Sequence, residues 1–476
     1  MGIIEEQSLA ALRAAGLNDV LYVSGEDTYK ARNASYWSLT AQLRPYAIVQ
    51  PRNTAEVSKA VKALVGIPGC KFAVRSGGHM AWAGANNIEN GITIDLGLMA
   101  DTTYNYQTQL ASLEPGGTWA SVYKELENHG RMVAGGREGK VGVGGLLLGG
   151  GKTFYTCRVG FACDQVVNYE VVLADGRIVN ANDQTNADLF RVLKGGGNNF
   201  GIVTRFDMVT FPSSDIWDGI VSCSKESTKE ICEALADYVK IIPDHADSHI
   251  LAMWTYLPQT RDHCINLVLT GLDEPPKIRS LSKFMQIQGH GDMKSTTVAT
   301  KMESFIVPSG KEDAWFTLTF KSDLRIILKA AEVFEATVEK VKEQIPDHNF
   351  YFSMVLQPLP RSFGQHSIAR GGNMMGLDHI KDDCILLVWA IEVNTPDISA
   401  AVGFPALKAA ISNIEAYASS VGGDVGFRYL NYCDGSQEPF KSYGEENVLK
   451  MRAAAAKYDP TGVFQSRVPG GFKIPT

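Results

Sequence analysis

The glycine-rich segment VGVGGLLLGGGKTF (Val141–Phe154) ends in Gly151-Lys152-Thr153, as the phosphate loop of a nucleotide triphosphatase ends. A Walker A loop needs its first glycine four residues before this triplet, so that successive N–H groups surround one phosphate. Leu146 occupies that position, and Gly145 lies one residue too far away. The dinucleotide motif GxGxxG also fails, because Leu147 stands where its last glycine would be. The segment is therefore neither phosphate motif, and its glycines need another explanation.

The composition is that of a globular enzyme with two or three domains. The chain has 476 residues, of which 45% are hydrophobic and 20% are charged, and it contains 46 glycines. A net charge of −7 disfavours nucleic acid or an anionic membrane as a partner. The N-terminus lacks the apolar core of a secretory signal, and no segment approaches the ~18 apolar residues of a membrane span. We therefore expect a cytoplasmic protein.

Cysteine and histidine spacing gives no sign of a disulfide framework or a metal centre. Eight cysteines are scattered without a CxxC pair, which predicts reduced thiols. His245, His249 and His263 do not share a metal-ligand spacing on one element, so the sequence predicts no metal. Nothing in the sequence indicates the oligomeric state.

The first part of the chain, residues 1–212, mixes strand–helix–strand units with antiparallel pairs, which predicts an α+β domain. The spacing predicts a helix over 54–64 with Thr54 as its cap, and a second helix that begins after Thr118. Asp175-Gly176 predicts the turn of a β-hairpin.

The second part, residues 213–425, has fewer glycines and longer elements. Four predicted strands (248–257, 264–270, 350–357 and 385–393) alternate with amphipathic helices (228–242, 324–345 and 400–420). This pattern predicts an antiparallel sheet with helices on one face, which leaves the other face free to cover a site. Residues 426–476 regain the turn-rich character of the first part.

Glycine clusters mark the first part of the chain. Besides Val141–Gly151, RSGGH ends in Gly77-Gly78-His79, and KGGGNNFGIV leads into Gly201, Ile202 and Val203. Paired glycines after a strand let the backbone approach a ligand closely, and Arg75 and Ser76 add donors suited to a diphosphate. Three such clusters predict one long ligand that lies across several backbone segments.

Five motifs together resemble one family. RSGGH, VGVGGLLLGGG, GFACDQVVNYEVVLADGRIV, GGGNNFGIVT and the closing YLNYCDGSQEPF resemble the vanillyl-alcohol oxidase class and, more narrowly, the berberine bridge enzyme-like FAD-linked oxidoreductases. The resemblance runs nearly end to end and is strongest over 45–210 and 427–467. It implies a PCMH-type FAD-binding domain of two α+β subdomains, a substrate domain with a helix-covered antiparallel sheet, and a C-terminal segment that returns to the first domain.

The resemblance also implies a set of FAD contacts. His79 matches the histidine that the family bonds covalently to the flavin 8α carbon. Many relatives have a second link from a cysteine just before the glycine-rich segment, but Glu138 stands there, so we predict a single link. The predicted cofactor-binding residues are Arg75, Ser76, Gly77, Gly78, His79, Gly84, Val141, Gly142, Gly144, Gly145, Gly149, Gly150, Gly151, Gly201, Ile202, Val203 and Tyr432.

Tyr432 is the predicted catalytic residue, with Asn431 to orient it. Removal of a substrate proton during hydride transfer needs a base or polariser beside the flavin, and a tyrosine would need a cationic or hydrogen-bonding neighbour to serve. Tyr429 has the opposite strand parity from Tyr432, which predicts a packing role. Val141 matches a position that resembles an oxygen gate, where a small residue favours O2 as electron acceptor.

Strand parity offers three candidate substrate contacts, Trp254, Gln357 and Trp389, in an aromatic pocket with few charges. We therefore expect an FAD-dependent oxidase or dehydrogenase that takes a hydride from a small, largely apolar metabolite (an alcohol, an amine or a secondary-metabolite intermediate), with O2 as acceptor. The alternatives are a carbohydrate oxidase, an oxidative cyclase and a redox-neutral isomerase. A P-loop nucleotidase, the alternative of a different class, already fails at its loop.

Overall fold

The structure, a computed structural model, describes residues 2–273 and 278–476. The strands are β1 Leu21–Val23, β2 Ala47–Val49, β3 Phe72–Arg75, β4 Ile92–Asp95, β5 Thr102–Asn105, β6 Leu110–Leu113, β7 Arg131–Met132, β8 Val166–Val172, β9 Ile178–Asn182, β10 Ile202–Val209, β11 Phe211–Pro212, β12 Ile216–Cys223, β13 Ser248–Leu257, β14 Asp262–Gly271, β15 Lys294–Thr296, β16 Glu312–Lys321, β17 Tyr351–Leu359 and β18 Cys384–Val393. The helices are α1 Ile3–Ala14, α2 Asp27–Asn33, α3 Thr54–Val65, α4 Trp119–Glu127, α5 Val143–Leu148, α6 Thr156–Val159, α7 Ala187–Leu193, α8 Thr228–Ile241, α9 Val298–Ser304, α10 Leu324–Gln344, α11 Ser362–Ala369, α12 Pro396–Ile398, α13 Phe404–Ser420, α14 Glu445–Tyr458 and α15 Val463–Ser466.

Two sheets occupy the first part of the chain. One has the order β1-β2-β4-β3 and contains parallel pairs, and the other has the order β5-β6-β10-β8-β9 and is antiparallel. Helix α3 buries Val57, Val61 and Leu64, as its spacing predicts. Its cap is Asn53 and not Thr54, because the Asn53 side chain accepts a hydrogen bond from the Glu56 N–H (3.0 Å). The α+β class is confirmed.

The central glycine-rich segment forms the short helix α5. Gly142 precedes the helix in extended backbone, and Leu147 is buried in the core beneath it. A side chain on Gly77 would place its Cβ 2.6 Å from the Cα of Gly142, so these two loops pack backbone against backbone. The glycines therefore serve a close approach between the RSGGH loop and the start of α5.

The second part of the chain forms a seven-stranded antiparallel sheet with the order β15-β12-β14-β13-β17-β18-β16. The four predicted strands are β13, β14, β17 and β18, and the sequence pattern missed β12, β15 and β16. Strands β12 and β16 begin with mixed polar and apolar residues, IWDG and EDAW, which obscure the alternation. The predicted helices appear as α8, α10 and α13.

Register and aromatic contacts show which face of the sheet the helices cover. Trp254 pairs with Met354, Met354 with Trp389, and Trp389 with Phe316, so these side chains share one face. The ring of Phe334 on α10 lies 5.7 Å from that of Trp389, which identifies this face as the helix-covered one. The opposite face turns toward the glycine-rich loops.

The C-terminal residues pack against the first sheet. Arg467 donates hydrogen bonds to the carbonyls of Leu64, Ile67 and Cys70 at 2.7, 2.6 and 2.9 Å, in the last turn of α3 and just after it. Tyr458 on α14 donates to Asp188 at the start of α7 (2.6 Å). No helix among residues 2–273 and 278–476 is long and apolar enough to cross a membrane.

Candidate active site

A cavity of about 410 Å³ lies between the glycine-rich loops and the uncovered face of the seven-stranded sheet. Apolar atoms form most of its wall. Of the residues predicted to bind cofactor or substrate or to act in catalysis, the cavity is lined by Ser76, Gly77, Gly78, His79, Val141, Gly142, Gly144, Gly145, Gly149, Gly201, Ile202, Val203, Asn431 and Tyr432. Segments distant in sequence thus meet at one site.

His79 lines this cavity, and 13% of its side chain is exposed. Its ring stacks on Trp37 with a centroid distance of 4.6 Å, and Trp37 in turn stacks on Trp315 at 5.3 Å. Burial lowers the pKa of His79 to about 4, and the nearby charge of Lys140 acts in the same direction. The imidazole is therefore neutral near pH 7, and its Nε2 atom is buried without a hydrogen-bond partner.

Glu138, at the position where the resemblance implies a cysteine in many relatives, bonds to the backbone. Its carboxylate accepts hydrogen bonds from the N–H groups of Lys140 (2.8 Å), Val141 (2.7 Å) and Val307 (2.9 Å). Burial raises its pKa, against the effect of these three bonds. The nearest oxygen is 3.7 Å from Nε2 of His79. None of the residues that line the cavity within the described chain is a cysteine.

Tyr432 lies within reach of a cation that the sequence prediction missed. Arg137 Nη2 donates a hydrogen bond to the Tyr432 hydroxyl (2.7 Å), and its Nη1 donates to Nε2 of His249 (2.7 Å). The Gln357 amide is more distant, with its Nε2 3.4 Å from the same hydroxyl. The sequence analysis required a cationic or hydrogen-bonding neighbour for a reactive tyrosine. Arg137 is such a neighbour, although it lies 295 positions away in the chain.

Asn431 and Tyr429 hold the loops together. Asn431 Nδ2 donates to the Leu146 carbonyl (3.1 Å), and the Tyr429 hydroxyl accepts from the N–H groups of Gly151 (2.8 Å) and Lys152 (2.9 Å). The parity argument for this motif is wrong, because Leu430–Tyr432 forms a 3₁₀ turn and not a strand. The rings of Tyr429 and Tyr432 consequently lie only 4.9 Å apart.

Lys152, which follows the glycines of this segment, also contributes to the cavity. Its side chain is buried, lines the cavity and donates to the carbonyl of Pro358 (2.8 Å). Burial, reinforced by the charge of Arg137, lowers its pKa well below the usual range. The same two effects hold the pKa of the buried His249 well below its ordinary value.

Four predicted cofactor contacts lie outside the cavity wall. Arg75 is occupied elsewhere, because its guanidinium donates to the carbonyls of Arg32 (2.7 Å) and Ser35 (2.9 Å) and stacks on Tyr36. This network holds the N-terminal segment and corrects its assignment as a diphosphate donor. Likewise, the Gly151 N–H donates its hydrogen bond to the Tyr429 hydroxyl. Gly84 and Gly150 are the other two predicted cofactor contacts that do not line the cavity.

Two of the three predicted substrate contacts also require correction. Trp254 and Trp389 lie on the helix-covered face, where they are 1% and 0% exposed, so neither lines the cavity. Gln357 lies on the opposite face, beside Tyr432. Leu251 and Trp315 from that face line the cavity instead. Parity separates two rows of side chains but does not reveal which row the helices cover.

Within residues 2–273 and 278–476, no three His, Cys, Asp or Glu side chains form a group that could hold a metal ion. The cavity is lined by the basic side chains of Arg137 and Lys152, by the carboxyl of Glu138 and by the neutral imidazole of His79. The expectation of a pocket with few charges therefore holds for most of the wall but fails at the Tyr432 end.

Comparison with known proteins shows the family to which this chain belongs. The sequence profile of a family described as FAD binding domain matches residues 45–182. The chain is 36% identical to FAD-dependent monooxygenase drtC of Aspergillus calidoustus, over 98% of this chain and 90% of that protein. It is 30% identical to the bifunctional solanapyrone synthase of Alternaria solani, over 98% of this chain and 88% of that protein. The solved structure of glucooligosaccharide oxidase from Acremonium strictum matches with a TM-score of 0.78 at 19% identity, covering 99% of this chain and 100% of that one.

These similarities define an FAD-dependent oxidoreductase. The chain belongs to the same family of FAD-dependent oxidoreductases as these relatives, and its fold is the one that its motifs predict, that of the berberine bridge enzyme-like proteins. The residues present fit FAD, because Nε2 of His79 is buried and unpartnered beside the cavity. The glycine-rich loops agree with this fit, since a Cβ built on Gly145 meets no atom within 4 Å.

Proposed function

We propose that this protein binds FAD through one covalent link, at His79, and oxidises a small, largely apolar metabolite by hydride removal. One observation carries the proposal: a single cavity joins an unpartnered histidine nitrogen, a glycine-rich wall and a tyrosine held by an arginine. FAD, when bound, supplies the hydride acceptor and passes the electrons on.

His79 is suited to a covalent link because its imidazole is neutral and its buried Nε2 makes no hydrogen bond. Stacking on Trp37 fixes the plane of the ring, so the nitrogen keeps one direction. Acremonium strictum glucooligosaccharide oxidase carries FAD joined to both a cysteine and a histidine. Here Glu138 occupies the predicted cysteine position and bonds to backbone amides, which supports attachment through the histidine alone.

Tyr432 is the proposed proton acceptor from a substrate hydroxyl or amine. The guanidinium of Arg137 donates to the phenol oxygen at 2.7 Å and stabilises negative charge there. Asn431 anchors the 3₁₀ turn to α5 and so fixes the position of Tyr432. The tyrosine thereby acts in acid–base chemistry while the arginine positions and polarises it.

The mostly apolar wall supports a hydrophobic metabolite over a carbohydrate, whose many hydroxyls would need polar partners. Val141 lines the cavity next to the glycine-rich wall, in keeping with O2 as electron acceptor.

Acid precipitation tests the covalent link. We expect the wild-type pellet to be yellow, and we expect His79→Ala to release its flavin into the supernatant or to lose it. His379→Ala is the control, because His379 is exposed and far from the cavity wall, and it should keep the yellow pellet. A wild-type protein without flavin in either fraction, even after incubation with FAD, would overturn the whole proposal.

A second measurement tests Tyr432. With a substrate found by screening for peroxide release, Tyr432→Phe should slow substrate-dependent flavin reduction by about 10²–10⁴-fold, the range of a lost general base. Tyr155→Phe is the matched control, since that buried hydroxyl donates to Met132 sulfur and does not line the cavity. An unchanged rate in Tyr432→Phe would exclude the tyrosine as the proton acceptor.

A further inference from the structure

Two basic side chains meet at the Tyr432 end of the cavity. Arg137 and Lys152 both line the wall, and the charge of each is felt by the buried His249. Arg137 bonds to Tyr432 and His249, which leaves most of its five N–H donors unused. Lys152 bonds only to the Pro358 carbonyl and has two donors left.

No carboxylate in the described chain forms an ion pair with either residue. The neighbouring Lys301 shows the contrast, because its ammonium pairs with Asp218. Glu138, the acidic residue of the cavity wall, directs its oxygens to three backbone N–H groups and approaches His79. A carboxylate therefore balances the charge of the neighbouring Lys301, whereas none balances the charges of Arg137 and Lys152.

A buried cation without a partner is costly, because transfer from water removes its hydration. Lys152 feels this cost directly: burial and the charge of Arg137 push its pKa well below the usual range. A methionine or leucine at this position would pack against the same apolar neighbours without that penalty. An anionic ligand group would instead offset the cost and satisfy the unused donors.

We propose that the substrate carries a carboxylate or a comparably acidic oxygen, which Arg137 and Lys152 bind at the Tyr432 end of the cavity. The rest of the substrate lies along the apolar wall. This inference rests on the proposed function for its reaction, but it makes a separate claim about binding. Arg137 then has two roles, since one nitrogen holds the tyrosine and its free donors hold the acid.

The test compares three carboxylates with their neutral amides on the flavin-loaded protein: acetate with acetamide, benzoate with benzamide, and cinnamate with cinnamamide. Binding is measured by calorimetry and by perturbation of the flavin spectrum. We expect at least one acid to bind roughly 10-fold or more tightly than its amide, as charge-assisted hydrogen bonds allow. A wild-type protein that shows no such preference for any pair would overturn the proposal.

Lys152→Met then assigns the preference to the site. We expect the variant to lose most of the acid-over-amide ratio, about 10-fold, with amide binding unchanged. Lys140→Met is the matched control, because Lys140 is exposed beside the cavity and its loss tests long-range charge alone. It should keep the ratio. A preserved ratio in Lys152→Met would overturn the proposal.

The flavin reduction potential of Lys152→Met shows whether Lys152 binds a substrate anion or instead stabilises negative charge on the flavin itself. If Lys152 served only the flavin, Lys152→Met would lower the flavin reduction potential and leave the acid preference intact, which would also overturn the proposal. The carboxylate titration can be read by calorimetry even if the protein lacks covalent flavin. Failure of the covalent link and failure of the anion site are therefore distinguishable.

Discussion

The two faces of the seven-stranded sheet differ in the polar side chains that they carry. The helix-covered face carries a row of large apolar residues, including Trp254, Trp389 and Phe316, each no more than 3% exposed. The cavity face carries His249 on β13, Gln357 on β17 and Asp313 on β16. Aromatic residues that looked like a substrate pocket in the sequence are thus packing, and isolated polar residues within apolar strands mark the site.

The cavity face also holds polar atoms that the protein does not satisfy. The Asp313 carboxylate, the Ser353 hydroxyl and the Thr255 hydroxyl are buried without hydrogen-bond partners. Such groups cost free energy, and the helix-covered face has the same kind of cost, because the indole nitrogens of Trp254 and Trp389 also lack partners. The difference is chemical: the groups named on the cavity face are a carboxyl and two hydroxyls, whereas the two on the helix-covered face are indole N–H groups.

The largest expected effect is on the helix-covered face. Trp389→Ala should lower the free energy of unfolding by about 3–5 kcal/mol, because it removes a fully buried ring that contacts Phe334 and Phe352. Chemical denaturation measures the loss. Trp315→Ala is the matched variant on the cavity face, where the side chain is partly exposed and lines the cavity, and it should cost less. Equal losses would contradict the division between the faces.

A smaller effect concerns pH and the cavity face. Burial first, and then the charges of Glu392 and Glu312, raise the pKa of Asp313 to about 8. Its ordinary value is about 4, so between pH ~4 and ~8 the folded protein holds a proton that the unfolded chain has lost. Stability contributed by this group is therefore complete at low pH and falls as the pH rises toward 8. Glu392, opposite Asp313 in the register, has a pKa raised to about 7 and acts in the same direction.

Asp313→Asn removes one of these titrations. We expect the variant to melt at a higher temperature than wild type at pH 9 and to differ little at pH 4, with ~1 kcal/mol corresponding to roughly 2–4 °C. Asp27→Asn changes the same charge at an exposed position and should leave the pH profile unaltered. Parallel profiles for wild type and Asp313→Asn would show that the Asp313 carboxyl does not titrate differently in the fold.

The sequence predicted what local chemistry determines and missed what distant contacts determine. The glycine clusters, the α3 and α4 helices and the β8–β9 hairpin follow from short-range patterns, and the structure contains them. The side on which α10 and α13 pack is a tertiary choice, so parity could not orient the tryptophans. Arg137 and Lys152 acquire their roles only because segments hundreds of residues apart meet at Tyr432 and Pro358. Lys152, directly after Gly151, was a sign in the sequence of a basic group at the site. Nothing near it in the sequence indicated that it would contact Pro358.

The smallest expected effect comes from making the cavity face resemble the helix-covered one. Gln357→Leu keeps the side-chain size and removes an amide whose nitrogen is 3.4 Å from the Tyr432 hydroxyl. A neutral hydrogen bond contributes about 0.5–1.5 kcal/mol, so flavin reduction should slow by only about 2- to 10-fold, far less than in Tyr432→Phe. The free energy of unfolding should stay within about 1 kcal/mol of wild type, because leucine can pack where the amide was. A rate loss above ~100-fold would instead make Gln357, and not Arg137, the main partner of the tyrosine, since an effect of that size exceeds what a neutral hydrogen bond supplies.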